Sequence, residues 1–82
     1  MAVTFTLPTG EKIRSASQRA FVLITRWDDE GTIKTNIIKR SDKTAVLAAE
    51  RQWMINRSGP AIFADTTWWI GESATGNITR LN

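Results

Sequence analysis

Between Ala20 and Trp53 the spacing of apolar residues changes twice, and each change marks an element. Ala20-Phe21-Val22-Leu23-Ile24-Thr25-Arg26-Trp27 is rich in the β-branched and aromatic residues that suit a pleated, half-buried surface. Alternation puts Phe21, Leu23, Thr25 and Trp27 on one face and Val22, Ile24 and Arg26 on the other. Both faces are apolar at mid-strand. The strand is therefore expected at the centre of a sheet, under a helix on one side and under loops, a terminal hairpin or a partner on the other. Asp28-Asp29-Glu30-Gly31 supplies turn chemistry, and Thr32-Ile33-Lys34-Thr35-Asn36-Ile37-Ile38 returns as a more polar strand, expected near an edge.

From Ser41 the pattern becomes helical. Ser41 and Asp42 are candidate caps for a helix from about Lys43 to Arg57, stopped by Ser58-Gly59-Pro60. Helical steps place Val46, Ala49 and Trp53 in one narrow arc with Ala45 beside it, while Leu47 and Met54 form a second stripe beyond Glu50. The first arc is expected to pack on the sheet with Trp53 as its anchor. The second either widens the contact with a curved sheet or touches a partner.

The flanks read as strands. Val3, Phe5 and Leu7 alternate with polar or small neighbours, Pro8-Thr9-Gly10-Glu11 turns, and Lys12-Ile13-Arg14 is a short return strand. Residues 15–19 form a polar connector. After Pro60, Ala61-Ile62-Phe63-Ala64 and Thr67-Trp68-Trp69-Ile70 read as strand segments; joined, they would align Ile62, Ala64, Thr66, Trp68 and Ile70 on one face. Residues 72–77 are a loop, and Ile78-Thr79-Arg80-Leu81 is a last strand. The expected fold is α+β: one domain with a small antiparallel β-sheet of four to five strands and one α-helix packed on a face.

Composition narrows the chemistry. The 82 residues include no cysteine and no histidine, which removes thiolate ligands, disulfides and the commonest general base. Asp28-Asp29-Glu30 is the only carboxylate run, and a solvated hairpin tip lacks the low dielectric that tunes a carboxylate for acid–base work. No phosphate-binding glycine loop or nucleophile motif occurs, so a non-enzyme without cofactor or metal is expected. No apolar run is long enough to span a bilayer, and the first residues lack the basic and apolar regions of a signal peptide. A cytoplasmic protein away from membranes is expected.

Net charge is +3. Lys34, Lys39, Arg40 and Lys43 run from the returning strand into the start of the helix, where free amides and cations together suit phosphate; the same lysines on an edge also discourage aggregation. Arg14, Arg19 and Arg26 would extend such a patch. Trp68 and Trp69 must point to opposite sheet faces. Trp68 is expected under the helix. Trp69, with Phe63, is expected on the other face, either exposed as a partner contact or covered by a terminal hairpin, with the two tryptophans differing sharply in burial.

The outline from Phe21-Val22-Leu23-Ile24 through Arg40-Ser41-Asp42 to Trp68-Trp69, about half of the chain, resembles small accessory proteins of bacteriophages and mobile elements, including anti-CRISPR proteins. The likeness is one of layout. It implies a non-catalytic binding protein, a phage-encoded inhibitor docking on a host nucleoprotein or defence complex. The chain is basic, unlike acidic DNA mimics, which leaves steric blocking as the mechanism implied. The alternative reading is a small nucleic-acid-binding module using Lys34, Lys39, Arg40 and Lys43.

Overall fold

A computed structural model describes residues 2–16 and 19–82, and the connector expected at 15–19 falls partly outside them. Val3–Thr6 (β1) and Lys12–Ser15 (β2) form an antiparallel hairpin with Phe5 opposite Ile13. Phe21–Asp29 (β3) and Thr32–Ser41 (β4) form a longer one. Its tip, Glu30-Gly31, has φ of 53° and 92°, the double positive φ of a turn whose twist matches the flanking strands. Asp28 Oδ1 accepts the Gly31 N–H at 2.7 Å, so this carboxylate shapes the turn. Thr44–Ser58 is α1, Thr67–Glu72 is β5 and Ile78–Arg80 is β6. The main sheet runs β4-β3-β5-β6, antiparallel throughout, and the fold is α+β as expected.

The helix starts one residue later than expected, and neither Ser41 nor Asp42 caps it. Lys43 is the N-cap residue, extended and without a side-chain cap bond. Ser41 Oγ accepts the Lys43 N–H at 3.1 Å in a local turn. Asp42 instead accepts the Ala20 N–H at 2.9 Å and an Arg19 N–H at 3.0 Å, fastening the entry to β3. The end is as anticipated: Gly59 adopts φ 87° and its N–H closes on the Ile55 carbonyl at 2.8 Å. Pro60–Phe63 then forms a 3-10 turn and no strand, with Pro60 in the first position, where its missing N–H costs nothing.

Both faces of the sheet are covered. The β1–β2 hairpin lies on one, enclosing Phe5, Leu7, Val22, Ile24 and Trp69. On the other, α1 encloses Leu23, Leu47, Trp68 and Ile70. Gly71 permits the close approach on the hairpin side: a Cβ there would stand 2.6 Å from the Phe5 ring. Arg26 donates to Glu11 at 2.7 Å and ties the hairpin to β3, and Glu11 also receives the Thr9 hydroxyl. A bulge in the β3–β4 register leaves Ile38 as the extra residue, because Leu23 faces Lys39 while Ile24 faces Ile37. Ile38 packs on the helix side and Ile37 on the hairpin side.

Two outcomes follow for stability. Phe5→Ala should cost about 3–5 kcal/mol, and Gly71→Ala about 1–3 kcal/mol because the buried ring has no room to withdraw. Chemical melts of both variants check this, and a Gly71→Ala protein melting like the parent contradicts the packing.

Acid should loosen the tie between this hairpin and β3 and the entry to β3. The Arg26 guanidinium and the Thr9 hydroxyl hold the Glu11 carboxyl below its ordinary 4.5, and the Ala20 N–H and Arg19 hold Asp42 below 3.8. A depressed carboxylate contributes stability above its unfolded value and loses it as pH falls through the folded one. Melting temperature should therefore fall as pH drops below about 4.5, and Glu11→Gln should flatten part of that fall.

Candidate docking surface

The cations expected to form one patch are divided among several settings. Lys39 bonds Glu50 of α1 at 3.3 Å, and Lys34 pairs with Asp29 at 2.7 Å. Arg40 lies opposite Val22, a residue of the hairpin-side core, so successive residues Lys39 and Arg40 address opposite faces. Lys43 stands at the helix N-cap. Exposed pairs such as these are worth little each.

Trp69, expected either as a partner contact or under a terminal hairpin, is 4% exposed beneath the hairpin and not available as a contact, and Trp68 is 1% exposed beneath the helix. The expected contrast in their burial is therefore absent, because the sheet is covered twice. Phe63, expected beside Trp69, packs edge-on to Trp68 at 5.4 Å, since the 3-10 turn carries it to the helix side. Arg51 also reaches that ring, its guanidinium 5.8 Å from the centroid; its Nε is buried without a hydrogen-bond partner among the described residues.

The helix is oriented the opposite way from expectation. Leu47 is its buried residue and Met54 packs with it, while Trp53 is 53% exposed and Val46 is also exposed. Val46, Ala49 and Trp53 line a groove with Lys39 and Glu50. The physical reason lies in the sheet's width. The helix rests on β3 and β4, and β4 is the last strand, so this arc has no further strand to cover it.

Next to this groove is a cavity of about 200 Å³, walled by Trp27, Ile38, Met54, Ile62, Phe63 and Trp68, with Thr25 and Thr66. The Thr25 hydroxyl is directed to the Asn36 carbonyl at 3.5 Å, which leaves the walls almost wholly apolar. The bulge makes the two depressions neighbours: Ile38 lines the cavity and Lys39 the groove, while Met54 and Trp53 do the same on α1. Ile62 forms the rim and is 69% exposed. Nothing in the apolar pattern singled out this cavity, because Ile62 reads as a strand residue until Pro60 is recognised as opening a helical turn.

Among the described residues no three acidic, histidine or cysteine side chains converge. No helix there is long and apolar enough to cross a membrane. Comparison with protein-family models, with curated proteins and with solved structures finds no match to the chain.

Because Trp53 is half exposed, Trp53→Ala should cost no more than about 1 kcal/mol of folding stability. Trp69→Ala should instead cost about 3–5 kcal/mol, as expected for a buried aromatic. Paired thermal melts of the two variants check the orientation of α1.

Proposed function

We propose that the protein is a non-catalytic binding protein that docks on a larger protein or nucleoprotein complex through the open side of α1 and the adjoining groove. The observation that carries this reading is Trp53, a large ring left half out of the fold, with Arg57 5.1 Å from its centroid. Tryptophan and arginine are the residues most often found at the energetic centre of interfaces. Val46, and Ile62 beside the neighbouring cavity, add exposed apolar area on the same side as α1. In its finer form the proposal is a phage-encoded inhibitor that blocks a host defence complex sterically, supported by the resemblance of layout.

Charge favours a second reading, a nucleic-acid-binding module. Residues 32–58 carry six basic and two acidic side chains, more than the whole of the net charge. The two readings differ in salt response, since each phosphate contact adds to a steep loss of affinity with log salt.

Affinity capture from cell lysate, with and without nuclease, separates them. The docking reading expects a stoichiometric complex that survives nuclease and is lost in Trp53→Ala, whose interface contribution should be about 2 kcal/mol or more. A complex that disappears with nuclease and is indifferent to Trp53→Ala supports nucleic-acid binding instead.

A further inference from the structure

We infer that the cavity between β4, the end of α1 and the 3-10 turn is a binding site for a small uncharged hydrophobic molecule the size of one substituted benzene ring. This site is separate from the docking surface, which rests on Trp53 and the groove outside the cavity. The cavity's size, the chemistry of its walls and the placement of charge around it carry the assignment.

The volume of about 200 Å³ exceeds the roughly 150 Å³ of an apolar cavity known to admit benzene. It falls short of the roughly 300 Å³ at which sites for drug-sized ligands begin. A single ring with a short alkyl substituent therefore fits, and a fused polycyclic molecule does not. Ile38, Met54, Phe63 and Trp68 are at once walls of the cavity and members of the helix-side core, so the cavity continues that core inward from the rim at Ile62.

The walls hold water poorly. Of the two hydroxyl residues among them, Thr25 is directed to the Asn36 carbonyl at 3.5 Å, which leaves Thr66. A well-held water needs about two to four polar partners, so an apolar ligand displaces it at little cost. The backbone of the 3-10 turn is also engaged. The Ala64 N–H bonds the Ala61 carbonyl, the Thr66 N–H bonds the Phe63 carbonyl, and the Thr66 carbonyl accepts from the Asn82 side-chain amide. A nucleobase or a peptide segment carries amides and carbonyls for which these walls offer little, whereas a hydrocarbon has nothing to satisfy.

Charge selects neither sign. No side chain lining the cavity is ionised. Lys34, opposite Trp27 in the β3–β4 register, is paired with Asp29, and Lys39 of the adjoining groove is paired with Glu50. Asp65, next to Thr66, is exposed, where solvent and salt screen it. Arg51 lies over the Trp68 ring without forming part of the walls. An ion entering the cavity would lose its hydration with no counter-charge inside to replace it, so the ligand is neutral.

Titration of the intact protein with toluene, benzoate and benzylammonium tests the inference, read by the Met54 methyl signal, the tryptophan indole N–H signals and thermal melts. Toluene should bind saturably, shift Met54, Trp27 and Trp68, and leave Trp53 unmoved. At tenfold excess over its Kd it should raise Tm by about 4 °C or more. The two ions, equal to it in ring size, should bind about tenfold more weakly or worse. Ile62→Asp, an exposed substitution that sets a charge at the rim, should weaken toluene by about tenfold, and Trp53→Ala should leave its affinity unchanged. Absence of saturable binding up to the solubility of toluene would overturn the site, as would shifts centred on Val46, Ala49 and Trp53 or indifference to Ile62→Asp. Benzylammonium binding as well as toluene would make Asp65 the determinant and overturn the neutral class. The docking reading is decided by capture with Trp53→Ala, so either can fail alone.

Discussion

A sheet whose central strands are apolar on both faces has to be covered on both faces, and in this chain that constraint organises everything else. Strand β3 carries Leu23 toward the helix and Val22 and Ile24 toward the hairpin; β5 does the same with Trp68 and Trp69. One helix can shield only one side. The β1–β2 hairpin supplies the second cover, seating Phe5 over Gly71, where the absence of a side chain lets the ring approach the backbone. A chain of this length has a limited core, so neither cover is dispensable.

Double coverage determines what is left outside. Both sheet tryptophans are buried, and the surface aromatic comes from the helix, where Trp53 lies beyond the last strand. The helix is held by Leu47 at its start and Met54 toward its end, with the Lys39–Glu50 pair beside them. That contact occupies one narrow stripe. The remaining apolar arc faces a groove, and beside it the 3-10 turn and the bulge frame an apolar cavity. Basic residues are frequent on the same two elements, but Lys34 and Lys39 are paired with Asp29 and Glu50 and Arg40 lies on the hairpin side. Lysines and the bulge protect the backbone edge of β4 against further strand pairing.

The elements themselves were legible in the sequence, because local chemistry decides them. Alternation marks β1, β3 and β4, Gly31 marks the tight turn, Gly59 ends the helix, and the two-faced apolar run predicts β3 at the centre. Even the exception at residues 60–63 is local: Pro60 begins a helical turn, against the strand-like composition that follows it. Which stripe of α1 faces inward was not legible. Leu47–Met54 and Val46–Ala49–Trp53 are both apolar, and helical periodicity identifies stripes without saying where the sheet ends. The position of the edge strand settles that choice. In the same way, alternation requires Trp68 and Trp69 to face opposite sides, but only the folded hairpin decides that both are buried. The basic residues are read off the sequence directly, whereas the extra residue at Ile38 decides that Lys39, and not Arg40, shares the face of Lys34. Local rules determine elements and faces; long-range packing determines which faces are covered, and so which residues stay exposed.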